Sequence, residues 1–222
     1  MKELTINELF DLSRTLAKDL LLKFTYPWEA LPKIKEYILT LGKTLFEDEY
    51  DHPADGVWIA KSAVISPSAS VNSPCIIGKN VEIRQCAFIR GAVIIGNGAV
   101  VGNSCELKNS ILFDEVQVPH FNYVGDSILG FRAHLGAGAI TSNVKSDKSL
   151  ITVSAGGKIF KTGLNKMGAI LGDRVEIGCN SVLNPGTVIG KDCIVYPLSS
   201  VRGFIPPKRI FKAPNRIVTK ET

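Results

Sequence analysis

The sequence is poor in the residue types that most often carry chemistry: 222 residues include only three histidines, two tryptophans and two methionines, and aromatic residues make up 8%. With His52, His120 and His134 as the only imidazoles, no His-x4-His pair and His52 outside any repeat, a three-histidine zinc lyase centre is excluded. Five cysteines without CxxC spacing write neither a zinc site nor a disulfide framework. Apolar runs are short, Leu20 to Leu22 being typical, against the roughly 20 residues a membrane span needs. No signal-peptide core follows Met1. The expectation is a soluble, cytoplasmic protein with no membrane partner and no required metal.

What is present is an ordinary globular balance of 45% hydrophobic and 21% charged residues, enough chain for a sizeable core. The net charge of +5 divides unevenly. Residues 1–55 hold 11 acidic and 7 basic side chains, whereas the remainder holds 10 and 19. The C-terminal end concentrates Arg202, Lys208, Arg209, Lys212, Arg216 and Lys220 against Glu221 alone. Such a field suits a phosphorylated ligand, with a solvated tail as the alternative. Nucleic acid is not expected, because no aromatic-plus-basic stripe accompanies the charge.

From Ile59 an aliphatic residue returns every six positions, through Ile65, Val71, Ile77, Ile83, Ile89, Ile95, Val101 and Leu107 to Phe113. Later runs repeat the spacing at Leu129 and Leu135, and from Leu171 through Ile177, Leu183, Ile189 and Val195 to Val201. Four residues after each comes a small or β-branched side chain, as at Ala69, Cys75, Ala87, Ala99 and Cys105. A period of six is neither helical nor a plain alternation. It fits short flat strands joined by corners, every sixth side chain pointing to the axis of a prism, in a mainly β chain. Cys75, Cys105 and Cys193 occupy the small inward slot and read as structural.

The pattern divides the chain into a helical cap and linker at 1–55, a β-helix at 56–203 and a basic tail at 204–222. In the cap, Thr5 and Glu8 form a capping-box signature ahead of Ile6, Leu9, Phe10, Leu16 and Leu20, which predicts one helix. Tyr26-Pro27-Trp28 ends it, and Leu31, Ile34, Ile38 and Leu41 predict a second helix ending at Gly42. The pair is expected to cap the open edge of the first coil, with Glu47 to Asp51 as a solvated linker.

The register fails twice, predicting loops at 114–128 and 142–168. The first contains Pro119-His120-Phe121-Asn122-Tyr123, and the second is lysine-rich, with Lys145, Lys148, Lys158, Lys161 and Lys166. A histidine pushed out on a loop can serve as a general base, since imidazole titrates near neutrality. It can equally bond its own loop's backbone. No serine or cysteine has a nucleophile-elbow context, so a covalent mechanism is not indicated.

Val118-Pro119-His120-Phe121-Asn122-Tyr123-Val124-Gly125-Asp126-Ser127, Leu135-Gly136-Ala137-Gly138, Ser142-Asn143 and Lys166-Met167-Gly168-Ala169-Ile170-Leu171-Gly172-Asp173 together resemble the hexapeptide-repeat acyltransferases. The likeness is to the acetyltransferase domain of bifunctional UDP-N-acetylglucosamine pyrophosphorylase/glucosamine-1-phosphate acetyltransferases and their archaeal relatives, over most of residues 59 to 203. It implies a left-handed parallel β-helix, a homotrimer with sites between subunits, and acetyl-CoA as cosubstrate. His120 would be the base that takes a proton from the amine of an amino-sugar 1-phosphate. Tyr123 and Asn143 would contact the sugar, with His134 where the family usually has asparagine, while Arg90, Lys108 and, after a one-residue gap, Lys148 would hold the phosphate. Ala137 would offer its N–H to the thioester oxygen, and Ala137 and Cys179 would flank the coenzyme. The basic tail would meet the coenzyme's phosphates.

Val144, in place of the bacterial tyrosine, and His134 are departures that touch the sugar pocket. They keep open an alternative, a non-catalytic or sugar-nucleotide-binding β-helix module. The 55 residues ahead of the repeats carry no Gly-rich nucleotide loop, so no nucleotidyltransferase domain is expected within this sequence.

Overall fold

The computed structural model describes residues 1–213 and 216–220; Pro214, Asn215, Glu221 and Thr222 of the expected basic tail, and the side chain of Arg216, lie outside the described residues. From Val57 onward the chain winds as a parallel β-helix, each strand paired to the strand one coil away. Val64 pairs with Glu82 and Glu82 with Val100, so a coil takes eighteen residues, three hexads. The hexad residues Ile77, Ile83, Ile89, Ile95, Val101 and Leu107 are buried along the axis. Each such side chain removed from water contributes about 1.5–3 kcal/mol, offset by the ordering of the chain. Where one coil passes over the next, space runs out: a Cβ on Gly102 would sit on the Pro119 carbonyl, so only glycine fits.

The strands lie on three faces. One carries residues 75–77, 93–95, 110–112, 127–129, 169–171, 187–189 and 204–205. The second carries 64–65, 82–83, 100–103, 117–120, 134–135, 176–177, 194–195 and 209–213. The third carries 70–71, 88–89, 106–107, 123–124, 140–141, 182–183 and 200–201.

The first face is apolar on both sides. Ile76, Ile94, Ile111, Ile128, Ile170 and Val188 alternate with the inward residues and so point away from the axis, yet all are fully buried. The N-terminal segment covers the first four of them. Helix α3 (Ile34–Gly42) lies on the strands at 75–77, 93–95 and 106–112, and the 3-10 turn Pro27–Lys33 lies on Tyr123–Leu129. The helical segment therefore packs along the side of the prism and not across its first coil. That open edge is instead closed by Tyr50–Ala54, which pairs antiparallel with Val57–Ala60, so part of the expected linker is a strand.

The single helix expected over Ile6 to Leu20 is two short ones, α1 (Ile6–Leu9) and α2 (Lys18–Leu21). Between them the backbone is claimed by the β-helix. Leu9 C=O accepts from Asp173 N–H at 3.1 Å, Asp11 N–H donates to the Asp173 carboxylate at 2.8 Å, and Arg14 C=O accepts from Asp114 N–H at 2.9 Å. Phe10 packs on Phe113 with ring centroids 4.8 Å apart. The Thr5 hydroxyl donates to Lys2 C=O and caps nothing; Glu29 instead accepts from the Thr25 and Tyr26 N–H groups at 3.0 and 2.8 Å.

The segment 114–128, expected as an extruded loop, consists of coil strands, Gln117–His120 and Tyr123–Leu129. Leu112, not Phe113, stacks on Ile95, because the corner after Leu107 is one residue shorter than the corner after Ile89. The next coil keeps the contraction, with Leu107 on Val124 and Ser110 on Ser127. The second break is an insertion containing the antiparallel hairpin Thr152–Ala155 and Lys158–Lys161; Leu129 stacks directly on Leu171. At the far end Phe204–Ile205 and Arg209–Ala213 still pair with the coil below, so the expected tail begins as a further coil and ends in a hairpin with Arg216–Thr219. Among the described residues no helix is long and apolar enough to cross a membrane.

Truncating the covered ridge tests the role of the N-terminal segment. Ile94→Ala is expected to cost about 2–5 kcal/mol in urea denaturation, whereas Val64→Ala, also outward but 67% exposed, changes stability by less than about 0.5 kcal/mol.

Candidate active site

His120 ends the strand Gln117–His120 where the second face turns into the third. Its C=O accepts from Gly138 N–H at 3.0 Å, and its N–H donates to Asn122 Oδ1 at 3.1 Å. Asn122 is only 2% exposed, and its Nδ2 donates to the carbonyls of Gly136 and Ala139 at 2.8 and 3.1 Å. The corner is thus fastened to the Gly136–Ala139 corner above it, using backbone and the Asn122 amide only. The His120 ring is left exposed beside Phe121, with no hydrogen-bond partner among the described residues. Ala137 C=O accepts from Asn180 N–H at 2.8 Å, while its own N–H has no partner among the described residues.

One coil further, exposed Cys179 lies in a shallow groove of about 370 Å³ with His134, Glu176, Tyr196 and Pro197. His134 Nδ1 lies 2.7 Å from Glu176 Oε2, a contact between neighbouring coils of the second face. Lys212 stands over the Tyr196 ring at 5.5 Å, a cation–π contact at the groove's edge.

The opposite corner of the third face is the contracted one, and it holds a dense polar cluster. Lys108 Nζ donates to both oxygens of Asp126 at 3.2 and 3.1 Å, and Asn109 Nδ2 donates to Oδ1 at 2.8 Å. Asn143 Nδ2 donates to Asp126 Oδ2 at 2.6 Å and to the Tyr123 hydroxyl at 3.1 Å. Burial, helped by the carboxylates of Asp126 and Glu106, pushes the Tyr123 phenol above its ordinary value. One coil below, Arg90 donates to Glu106 at 2.6 Å, a bond that holds the guanidinium still more firmly protonated.

His120 and Asp126 thus stand at the two ends of one coil's passage across the third face, with Tyr123 between. At roughly 3.3 Å per residue, His120 and Tyr123 are at most about 10 Å apart along the chain. The structure brings Lys108, Tyr123 and Asn143 together and puts Arg90 beside Glu106. It does not bring in Lys148, exposed on the insertion, where Lys145 rather than Lys148 lines a pocket of about 400 Å³ with Asn184 and Arg202. Sequence reasoning assigned no role to Asp126, Asn109 or Asn122. The signal for the first two is the seventeen-residue spacing of Asn109 and Asp126, which reads as a coil repeat only once the one-residue contraction is known. Among the described residues no group of His, Cys, Asp and Glu side chains converges as a metal site.

Two family models match within the β-helix. Residues 74–178 match the GMPPB C-terminal domain, and residues 168–203 match the bacterial transferase hexapeptide (six repeats). The bifunctional protein GlmU of Methanococcus maripaludis is 32% identical over 136 residues, 61% of this chain and 33% of that protein. The bifunctional sugar-1-phosphate nucleotidylyltransferase/acetyltransferase of Sulfurisphaera tokodaii is 28% identical over 192 residues, 84% of this chain and 47% of that protein. The chain therefore spans less than half the length of these two relatives. Among solved structures, the N-acyltransferase AntD from Bacillus cereus, in complex with dTDP and coenzyme A, aligns over 74% of this chain and 84% of that one at 23% identity and a TM-score of 0.40.

Two outcomes check the geometry. Asn122→Ala takes the donor from the buried Ala139 carbonyl and one of two donors from that of Gly136, and is expected to cost about 2–4 kcal/mol in chemical denaturation. Of the five thiols, only exposed Cys86 and Cys179 are expected to react with Ellman's reagent at pH 8 in the native protein; burial pushes Cys193 up to about 11 and Cys75 beyond it, so the rest react only after unfolding.

Proposed function

We propose that the chain is an acetyl-CoA-dependent N-acetyltransferase acting on the amine of an amino-sugar 1-phosphate, with His120 as general base. The observation that carries this reading is the corner itself. An imidazole with no other task stands exposed on a backbone fastened by Asn122, one coil from the unpartnered N–H of Ala137. The names of the relatives, which pair sugar-1-phosphate and acetyl transfer, support the same chemistry.

The sugar amine attacks the thioester carbonyl of acetyl-CoA as His120 accepts one of its protons. The carbonyl oxygen becomes an oxyanion, for which the Ala137 N–H is a preplaced donor. When the carbon–sulfur bond breaks, the acetamide forms, and the imidazolium returns its proton to the departing thiolate. The exposed groove past Cys179, edged by Lys212, would take the coenzyme. Tyr123 and Asn143 would hold the sugar. Arg90 and Lys108 would hold its phosphate, exchanging their present carboxylate partners for it, and Lys148 would approach from the insertion. A homotrimer, with the third face of one subunit against the next, would complete the pocket.

Those ion pairs also favour one other reading. With Glu106 and Asp126 neutralising Arg90 and Lys108, the same face could bind a sugar nucleotide without transferring anything.

Free CoA release from acetyl-CoA and glucosamine 1-phosphate separates the two. The native chain is expected to turn over, and His120→Ala to lower kcat by about a hundredfold or more with the oligomer unchanged in analytical ultracentrifugation. Undiminished turnover in that variant removes His120 from the mechanism, and no turnover by the native chain favours the binding module.

A further inference from the structure

Asp126 is a carboxylate only 4% exposed, held at a left-handed corner (φ +49°), and everything near it donates to it. Lys108, Asn109 and Asn143 fill its oxygens, and its own C=O accepts from Gly168 N–H at 2.8 Å, where the insertion rejoins the coil. Met167 N–H donates to Asn143 C=O at 3.0 Å, so Asp126 and Asn143 together fasten both feet of the insertion.

The consequence for Asn143 is chemical. An amide can present either its oxygen or its nitrogen, and the partners decide which. A carboxylate only accepts, so Asp126 compels Asn143 to turn its Nδ2 inward, where the second hydrogen reaches the Tyr123 hydroxyl. Asn143 Oδ1 is left with no partner among the described residues. Tyr123, already accepting, keeps its own O–H to give. Its hydroxyl lies over Gly125, where a Cβ would come within 2.4 Å of it, so the phenol is seated in one position. The raised phenol keeps that proton at neutral pH.

We propose that Asp126 is a positioning and specificity-determining residue: by locking the Asn143 amide it makes the face beside His120 show a ligand one acceptor, Asn143 Oδ1, and one donor, the Tyr123 O–H. That pair is the complement of a sugar hydroxyl, which gives one hydrogen bond and takes another. The assignment rests on the acetyl-transfer reading for the identity of the acceptor, but the lock itself is a property of the free protein.

Kinetics and amide exchange test it separately on the full chain. With acetyl-CoA and glucosamine 1-phosphate, Asp126→Asn, which lets the Asn143 amide turn over, is expected to raise the acceptor KM about tenfold and leave the acetyl-CoA KM within about twofold. Asn143→Ala does the same, and the double variant loses no more than either single one. An unchanged acceptor KM in D126N, or fully additive losses, overturns the proposal. In proton–nitrogen NMR the Asn143 side-chain amide, identified by its disappearance in N143A, is expected to exchange slowly with water in the native protein and rapidly in D126N. Rapid exchange in the native protein overturns the lock whether or not any acceptor is turned over, and this alone decides if D126N does not fold. Slow exchange without turnover removes the acetyl-transfer reading and leaves the lock standing.

Discussion

Each coil strand of this molecule hydrogen-bonds to the strand one coil away, and each inward aliphatic stacks on its counterpart, so every circuit of the chain has to close over the one before it. The perimeter is therefore conserved, and a residue can be gained or lost only where the chain turns. Both irregularities obey this. The one-residue contraction is absorbed between Leu107 and Ser110 and inherited between Val124 and Ser127, and the hairpin insertion leaves and rejoins at the corner above. Side chains at a corner splay away from the axis while their backbone is fixed from two sides. That is why the polar groups of the third face, His120 at one turn and Lys108 and Asn143 around buried Asp126 at the other, are carried on a rigidly seated backbone.

The period of six made the β-helix legible, because no other regular structure buries every sixth side chain. It also made the departures look larger than they are. Counting in sixes from Phe113 places 114–128 outside the prism, but counting from Leu112 places Val118 and Val124 inside it. A periodic search reports that the phase has slipped without saying where, and a slip of one residue at a corner is indistinguishable in sequence from a loop. The cap was misread for a different reason. Its helical spacing around Leu9, Phe10 and Leu16 is real, yet hydrogen bonds from Asp114 and Asp173, over a hundred residues away, outbid the helix for those backbone groups. The covered ridge was legible in principle, in the triplets Cys75-Ile76-Ile77, Val93-Ile94-Ile95, Ser110-Ile111-Leu112 and Ser127-Ile128-Leu129. Three apolar or small residues in a row on a strand mean that both its faces are dry.

Charge is distributed less simply than the basic total suggests. The third face places Arg90 against Glu106 and Lys108 against Asp126, so its cations arrive already partnered. The Arg90–Glu106 pair is partly exposed and adds little to stability, whereas the Lys108–Asp126 pair is mostly buried within the polar cluster. For the proposed phosphate ligand they bear on choice: it would have to displace a carboxylate, which would disfavour adventitious ions.

The six-residue aliphatic ridge has a consequence for how the protein is made. Residues 1 to 42, which cover its first four positions, are made before any of the coils they pack on. Their partners Phe113 and Asp173 follow much later in the chain, Asp173 on the far side of the insertion. Those helices are therefore fully seated only once the coil that carries Asp173 has stacked on the ones before it. Until then each new coil adds another isoleucine to a bare, flat apolar stripe, the most adhesive surface the nascent chain ever shows.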